Sequence, residues 1–149
     1  AVFQHQLAPS VWQAWIDIAN KQSTTLLMGS ALFNPSDHSY TNSVLGITAD
    51  STIEQIQRAS TGVRYDKHHL VPFGEFIPLG FRWFVNMMNM PLGDFSRGPL
   101  SAPSFVVKGQ RVGPNICYED LFGEELASRF VQVDTAPTLF ANVSNLALA

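Results

Sequence analysis

The chain has 149 residues, of which 46% are hydrophobic and 14% are charged, and its formal net charge is −3. This composition excludes a disordered or collagen-like chain, and the Lys and Arg residues are too scattered to follow a phosphate backbone, so we expect no nucleic-acid partner. A single Cys excludes an intrachain disulfide, and no apolar run approaches the roughly 18 residues of a membrane span.

The first third of the chain predicts a helix followed by a β hairpin. Apolar residues at helical spacing after Pro9 predict a helix with Ser10 as its N-cap and Lys21 near its end. Residues 24–33 and 40–48 are rich in β-branched and apolar side chains and flank a polar turn. They therefore predict two neighbouring strands.

The middle of the chain is less regular. A polar segment at 54–60 has no clear pattern, and residues 63–68 then predict a strand that runs into a proline-bent loop at 69–78. Residues 81–90 are aromatic and rich in Met, and their periodicity fits either a short helix or an apolar flap.

The last third predicts a hairpin, a helix and a strand. Two strand-like runs at 104–107 and 111–117 flank a short turn at 108–110 and predict the hairpin. A helical pattern follows over 119–130, and 137–143 predicts a final buried strand. The apolar stripe expected on this helix consists of Leu121, Phe122, Leu126 and Phe130. Strands that alternate with helices indicate a layered α/β protein, one domain or part of one.

Cys117, the only thiol, lies between a predicted buried strand and the first turn of a predicted helix. The positive end of the helix dipole favours the thiolate, and a sharp strand-to-helix turn brings the sulfur close to backbone N–H groups. This position fits a catalytic nucleophile, and a small buried hydrophobic residue fits it equally well. Glu119 and Asp120 either act on such a site or complement the N-terminus of the helix, and for Asp120 we favour the helix.

Lys67 also follows a predicted strand, and the loop after it contains Glu75. A Lys ammonium there can stabilise a developing oxyanion, a contribution of roughly 3–4 kcal/mol for typical oxyanion donors, whereas a solvated surface Lys is the alternative interpretation. His68 and His69 raise the question of a metal site. Adjacent residues of a strand point to opposite faces and no repeated ligand spacing accompanies them, so we expect no metal and no cofactor.

Several motifs point to one family. They are Lys67, HLVPFGE at 69–75, FSRG at 95–98, ICYE at 116–119 and NVSN at 142–145. In this order they resemble the nitrilase-type domain of the bacterial apolipoprotein N-acyltransferases, across nearly all of the chain. Soluble nitrilases and amidases share the Lys after a strand and the Cys before a helix, but the LVPFGE loop is similar to the version of the membrane enzyme.

The resemblance implies an αββα sandwich and a Glu-Lys-Cys triad, in which Lys67 and Cys117 match two members. In the family the glutamate base lies just before a helix like that of residues 9–22, so we assign no residue of this chain as the base. Residues 1–149 would then be part of one nitrilase-like catalytic domain, incomplete at both ends. The resemblance also implies four supporting positions around the site, namely Asn42, Glu75, Tyr118 and Glu119.

The activity implied by the resemblance is transfer of a fatty acyl chain from a phospholipid, through a Cys117 thioester, to the N-terminal diacylglyceryl-cysteine of an apolipoprotein. The parent protein would lie in the bacterial inner membrane, with this domain facing the periplasm and its membrane-spanning segments outside this stretch. Two alternatives stay open: a soluble nitrilase-type amidase or hydrolase, and an inactive or oligomerising fragment that pairs through a sheet edge. Without the base, we expect no turnover from these 149 residues.

Overall fold

The computed structural model describes residues 7–87, 95–100 and 102–144. The helices are α1 (Pro9–Lys21), α2 (Ile53–Gln57), α3 (Arg82–Met87) and α4 (Gly123–Ser128), with a 3₁₀ helix at Cys117–Leu121. The strands are β1 (Leu26–Asn34), β2 (Ser39–Ile47), β3 (Arg64–Asp66), β4 (Phe105–Val107), β5 (Gln110–Ile116) and β6 (Leu139–Val143). Within these ranges, no helix has the length and apolar character needed to cross a membrane.

The first sheet has the strand order β1-β2-β3, and both pairings are antiparallel. Strands β1 and β2 pair along their whole length, from Leu26 opposite Ile47 to Asn34 opposite Ser39. This confirms the predicted hairpin. Strand β3 is shorter than the predicted 63–68 because the chain leaves the sheet after Asp66.

The second sheet has the order β4-β5-β6 and mixes both directions. Strands β4 and β5 form the predicted antiparallel hairpin, and its turn residues Lys108 and Gly109 have φ angles of 48° and 78°. Positive φ at both central residues is the geometry of a tight hairpin turn that matches the strand twist. Strand β6 is parallel to β5 and pairs Val143 with Ile116, so both strands end at the same edge.

The two sheets face each other across a hydrophobic core. Its members come from β2, β3 and β5 and from the segment before β4, with partners on β1 and β6: Val44, Tyr65, Ala102 and Ile116, packed against Leu27 and Val143. Helices α1 and α2 cover the opposite face of the first sheet through a cluster of Trp12, Ile16, Ile47 and Ile56. Burial of each large apolar side chain contributes about 1.5–3 kcal/mol, so both layers are held by hydrophobic packing.

The described residues cover the outer face of the second sheet only in part. Alternation along the strands places Val106 and Phe140 on this face, and they are 69% and 38% exposed. Phe130 contacts Phe140 edge to face, with the ring centroids 5.9 Å apart. The prediction that 137–143 is a buried strand is therefore wrong, because β6 receives little cover from other described residues.

The helices also differ from the sequence-based expectations in local details. Helix α1 begins at Pro9 and has Ala8 as its N-cap without a side-chain cap, so Ser10 is not the cap; Pro at the first helical position loses no hydrogen bond. The unpatterned segment at 54–60 contains α2, which starts with a capping box between Thr52 and Gln55.

The predicted helix over 119–130 is two short helices that break at Phe122, and its stripe does not form a buried face, since Leu121 is 78% exposed. The ambiguous segment at 81–90 contains helix α3, and its last residues, 88–90, lie outside the described residues.

Candidate active site

A cavity of about 530 Å³ lies where β3, β5 and β6 end, and it brings together residues that are far apart in the sequence. Its wall includes Asn42 from β2, Lys67 and Glu75 from the loop after β3, and Cys117 after β5. Four of the six site residues expected from the sequence therefore line one cavity. The other two, Tyr118 and Glu119, lie beside it and support it through contacts described below.

Cys117 occupies a strained turn at the end of β5. It has a φ of 56° although it is not a glycine, and its side chain is exposed. A non-glycine residue in the left-handed region costs of the order of 1–3 kcal/mol and occurs at sites where the surrounding structure holds it. The interpretation of Cys117 as a small buried hydrophobic residue is therefore wrong, and its thiol is accessible from the cavity.

Lys67 is buried, with only 1% of its surface exposed. Its Nζ donates to both carboxylate oxygens of Glu75, at 3.0 and 2.8 Å. Its backbone is fixed on both sides, because its N–H donates to the Asn42 carbonyl and its carbonyl accepts from the Gly98 N–H, both at 2.8 Å. The alternative of a solvated surface Lys is therefore wrong.

Glu75 has a full set of hydrogen-bond donors. Besides the two bonds from Lys67, it accepts from the Asn42 amide at 2.5 Å and from the Val71 N–H at 2.8 Å. A carboxylate offers about four acceptor positions, and all of them are used here. Glu75 is thus built to hold the Lys67 ammonium in place, and Asn42 orients the carboxylate.

Glu119 is 4% exposed and lies behind the cavity wall. One of its carboxylate oxygens accepts from the Tyr65 hydroxyl at 2.8 Å and the Ile116 N–H at 2.7 Å. The other accepts from the His68 and His69 N–H groups at 2.8 and 3.1 Å. Glu119 therefore ties the end of β5, which carries the thiol, to the end of β3, which carries the lysine. Burial, and next the negative charge of Glu119, raise the pKa of the Tyr65 hydroxyl above its usual range.

Tyr118 supports the site with both its hydroxyl and its aromatic ring. Its hydroxyl donates to the Leu70 carbonyl at 3.1 Å, and Lys67 Nζ lies 5.1 Å from the centre of its ring, within cation–π range. Burial, together with the nearby carboxylates of Glu75 and Glu119, raises the pKa of the Tyr118 hydroxyl. The hydroxyl therefore stays protonated and holds the 69–75 loop against the thiol-bearing turn.

His68 and His69 do not lie on a strand, because β3 ends at Asp66, so the expectation that they point to opposite faces does not apply. Their ring centroids are 5.0 Å apart. His68 Nδ1 lies 2.7 Å from the Gly98 carbonyl oxygen, and His69 Nε2 lies 2.5 Å from the carboxylate Oε2 of Glu125. Among the residues that the structure describes, no three His, Cys, Asp or Glu side chains are grouped to hold a metal.

Two residues have contacts at the site that the sequence reasoning did not assign. Gly98 approaches β3 so closely that an added Cβ would lie 2.0 Å from the Asp66 carbonyl oxygen. Asn142 donates from its side-chain amide to the Cys117 carbonyl at 2.7 Å. Both belong to motifs quoted above, FSRG and NVSN, but neither spacing nor composition shows a contact between distant segments.

Residues 3–144 match the sequence profile of the family described as carbon-nitrogen hydrolase. The chain belongs to the carbon-nitrogen hydrolase family. Over 97% of its length, the chain is 52% identical to a Bordetella bronchiseptica protein named apolipoprotein N-acyltransferase. The match spans 28% of that protein. The chain is 69% identical, over 56% of its length, to a Ralstonia nicotianae protein of the same name, of which the match spans 16%. It thus corresponds to less than a third of the first relative, and the resemblance to apolipoprotein N-acyltransferases is confirmed.

Two solved structures are similar to this carbon-nitrogen hydrolase chain. A carbon-nitrogen hydrolase from Helicobacter pylori G27 has a TM-score of 0.54 and 16% identity, with 91% of this chain and 37% of that one covered. The C. elegans NitFhit protein has a TM-score of 0.56 and 24% identity, with 89% of this chain and 28% of that one covered. At these identities the likeness concerns the fold alone, and it confirms the nitrilase-like α/β class.

Proposed function

We propose that the chain carries the acyl-transfer site of an apolipoprotein N-acyltransferase. The observation that carries this proposal is one cavity that combines an exposed, strained Cys117 with an ion pair between the buried Lys67 and the partly buried Glu75. The similarity to the Bordetella bronchiseptica and Ralstonia nicotianae proteins supports the choice of reaction. The fold by itself does not select a reaction, since one fold hosts many chemistries.

In the first step, the Cys117 thiolate attacks the ester carbonyl of a phospholipid. A C–S bond forms and the carbonyl becomes an oxyanion, which the Lys67 ammonium and the Tyr118 N–H stabilise. The ester C–O bond then breaks, and the lysophospholipid leaves with the proton that the thiol gave up. The product is a thioester of Cys117 with the fatty acyl chain.

In the second step, the α-amino group of a diacylglyceryl-cysteine attacks the thioester. The new C–N bond forms through a second oxyanion held by the same donors, and the C–S bond breaks. The amine loses a proton, and the free thiol is restored. This two-step scheme predicts that donor and acceptor react in turn with one nucleophile.

The general base of this scheme is a glutamate that these 149 residues do not supply. Two carboxylates at the cavity, the partly buried Glu75 and the buried Glu119, each accept four hydrogen bonds, which use all of their acceptor positions and leave none free for a thiol proton. Both therefore hold the site together, and the base comes from a part of the parent outside this stretch. The stretch alone is then inactive.

The exposed apolar residues of the segment 71–87, which begins in the cavity wall, fit a lipid substrate. They are Val71, Phe73, Leu79, Phe81, Trp83 and Met87, each at least 36% exposed, and Val71 also lines the cavity. Large exposed apolar patches mark surfaces that contact membranes, ligands or other proteins. We assign this one to the acyl chains at a membrane surface, with the parent protein in the bacterial inner membrane and this domain on the periplasmic side.

The test of this function uses the full-length gene product in phospholipid vesicles with a synthetic peptide that begins with diacylglyceryl-cysteine. We expect mass spectrometry to find one acyl chain added to the peptide amine and one lysophospholipid formed for each peptide. The Cys117→Ser variant should form neither product. Release of free fatty acid without acylated peptide would overturn the transferase proposal and favour a hydrolase.

A further inference from the structure

Asn142 contacts the backbone of the nucleophile, although it is not part of the proposed triad. It lies on β6, opposite Asn115 of β5, and its side-chain Nδ2 donates to the Cys117 carbonyl at 2.7 Å. Cys117 is the strained residue of the turn, with a φ of 56°. The bond therefore holds the Cys117–Tyr118 peptide next to a residue whose backbone conformation is unfavourable for a non-glycine residue.

The orientation of the Asn142 amide is fixed by a second bond. The Ser144 hydroxyl lies 2.5 Å from Asn142 Oδ1. If the amide were turned over, its oxygen would face the Cys117 carbonyl oxygen, and two acceptors would oppose each other. Ser144 therefore donates to the amide oxygen, and the amide nitrogen is left to donate to Cys117.

The held peptide unit carries the backbone N–H of Tyr118. In a trans peptide the C=O and N–H bonds point in opposite directions across one plane. Since the Cys117 carbonyl is directed at Asn142, the Tyr118 N–H is directed away from it. A rotation of this peptide would move the Tyr118 N–H and the conformation of Cys117 together.

We infer that Asn142 is a positioning residue for the oxyanion site: it fixes the Cys117–Tyr118 peptide so that the Tyr118 N–H faces the developing oxyanion. The inference rests on the proposed function, because Tyr118 N–H is an oxyanion donor only if Cys117 attacks a carbonyl. Ser144 acts one step further away, by orienting the Asn142 amide. This role predicts a loss in carbonyl chemistry without a loss in the reactivity of the thiol itself.

Two reagents separate these properties in the full-length protein. Reaction of Cys117 with p-nitrophenyl butyrate forms a C–S bond through a tetrahedral oxyanion and releases p-nitrophenolate. Alkylation by iodoacetamide displaces iodide at a saturated carbon and needs no oxyanion donor. Because neither reagent is a phospholipid, the comparison stays valid even if phospholipid transfer fails, and the two proposals can fail independently.

We expect Asn142→Ala to slow acylation by the ester roughly tenfold or more, as partial loss of an oxyanion donor should, and to leave alkylation within about twofold of wild type. Ser144→Ala should show a smaller loss of the same kind. The exposed Asn20 of α1 provides the control Asn20→Ala, which should change neither rate. A parallel fall in both rates, or no change in either, would overturn the inference.

Discussion

At the scale of single residues, the burial of Lys67 places the strictest demand on the site. Burial of an ammonium away from water costs free energy. The Glu75 carboxylate offsets this cost by accepting two hydrogen bonds from Lys67 Nζ, at 3.0 and 2.8 Å. The sequence identified Lys67 by its position after a predicted strand and Glu75 as the last residue of the HLVPFGE motif at 69–75. It could not show that Lys67 is buried, because that depends on β2, on Gly98 and on Tyr118, which come from separate segments.

The dependence of Lys67 on Glu75 can be measured by the substitution Glu75→Gln. It keeps the side-chain volume and leaves a buried ammonium without its counter-charge, so we expect the free energy of unfolding to fall by about 3–5 kcal/mol. Urea unfolding checks this value. The exposed pair Glu54–Arg58, with side chains 70% and 74% exposed, supplies the control. Glu54→Gln should cost about 0.5 kcal/mol or less. A loss below about 1 kcal/mol for Glu75→Gln would contradict the account of Lys67.

At the scale of elements, the site depends on how β3 and β5 are held to each other. Glu119 joins the two strand ends through four hydrogen bonds, one of them from Tyr65 at 2.8 Å. A hydrogen bond to a charged partner is worth about 1.5–3 kcal/mol. Because Tyr65 lies in the core between the sheets, this bond also links the core to the site.

Removal of this hydroxyl should therefore have an effect that depends on pH. We expect Tyr65→Phe to lower the free energy of unfolding by about 1.5–3 kcal/mol near neutral pH. In the wild type, the raised pKa of the Tyr65 hydroxyl keeps it protonated in the folded state, whereas an unfolded Tyr ionises near pH 10. The folded state then binds more protons, so this contribution is full below about pH 10 and is lost as the pH rises further.

The measurement is urea unfolding of wild type and Tyr65→Phe over a pH series. The gap in free energy between the two proteins should narrow above about pH 10, because only the wild type carries this ionisable group. Other Tyr residues, Tyr118 included, titrate in both proteins and cancel in the difference. A gap that widens at alkaline pH would contradict the assignment of the raised pKa.

The close approach of Gly98 to β3 gives a second prediction at this scale. A Cβ at Gly98 would lie 2.0 Å from the Asp66 carbonyl oxygen, which is backbone and cannot move aside alone. We expect Gly98→Ala to cost about 1–3 kcal/mol and to displace the backbone of Lys67. Gly62 has no atom within 4 Å of an added Cβ, so Gly62→Ala is the matched control and should be nearly neutral. Equal stabilities of the two variants would show that β3 is not held by this contact.

The elements that the sequence predicted well are those with local signals. Both hairpins were predicted because a polar turn separates two apolar runs, and both form. Helix α2 was missed because five residues are too few for a periodic pattern, although its capping box was readable. The cover of β6 and the break at Phe122 depend on contacts between distant segments, which a local pattern does not contain.

At the scale of the whole molecule, the chain brings the proposed nucleophile, Cys117, and the proposed oxyanion donor, Lys67, to one cavity, but it corresponds to only 28% of the Bordetella bronchiseptica relative. The sequence predicted the family, the sandwich and four of the residues around the cavity. The position of Asn142 against Cys117 and the full use of Glu75 and Glu119 by hydrogen bonds emerged from the fold alone. These contacts explain how the ends of β3 and β5 hold Lys67 and Cys117 in fixed positions relative to each other.

The central claim is that the acyl chain is carried by Cys117. The most direct measurement exposes the full-length gene product to vesicles with an isotope-labelled phospholipid acyl chain and maps the label by mass spectrometry of proteolytic peptides. We expect one labelled acyl group on the peptide that contains Cys117, discharged by addition of an acceptor amine. An active protein with its label on another residue, or with none on Cys117 when the acceptor is withheld, would contradict the account.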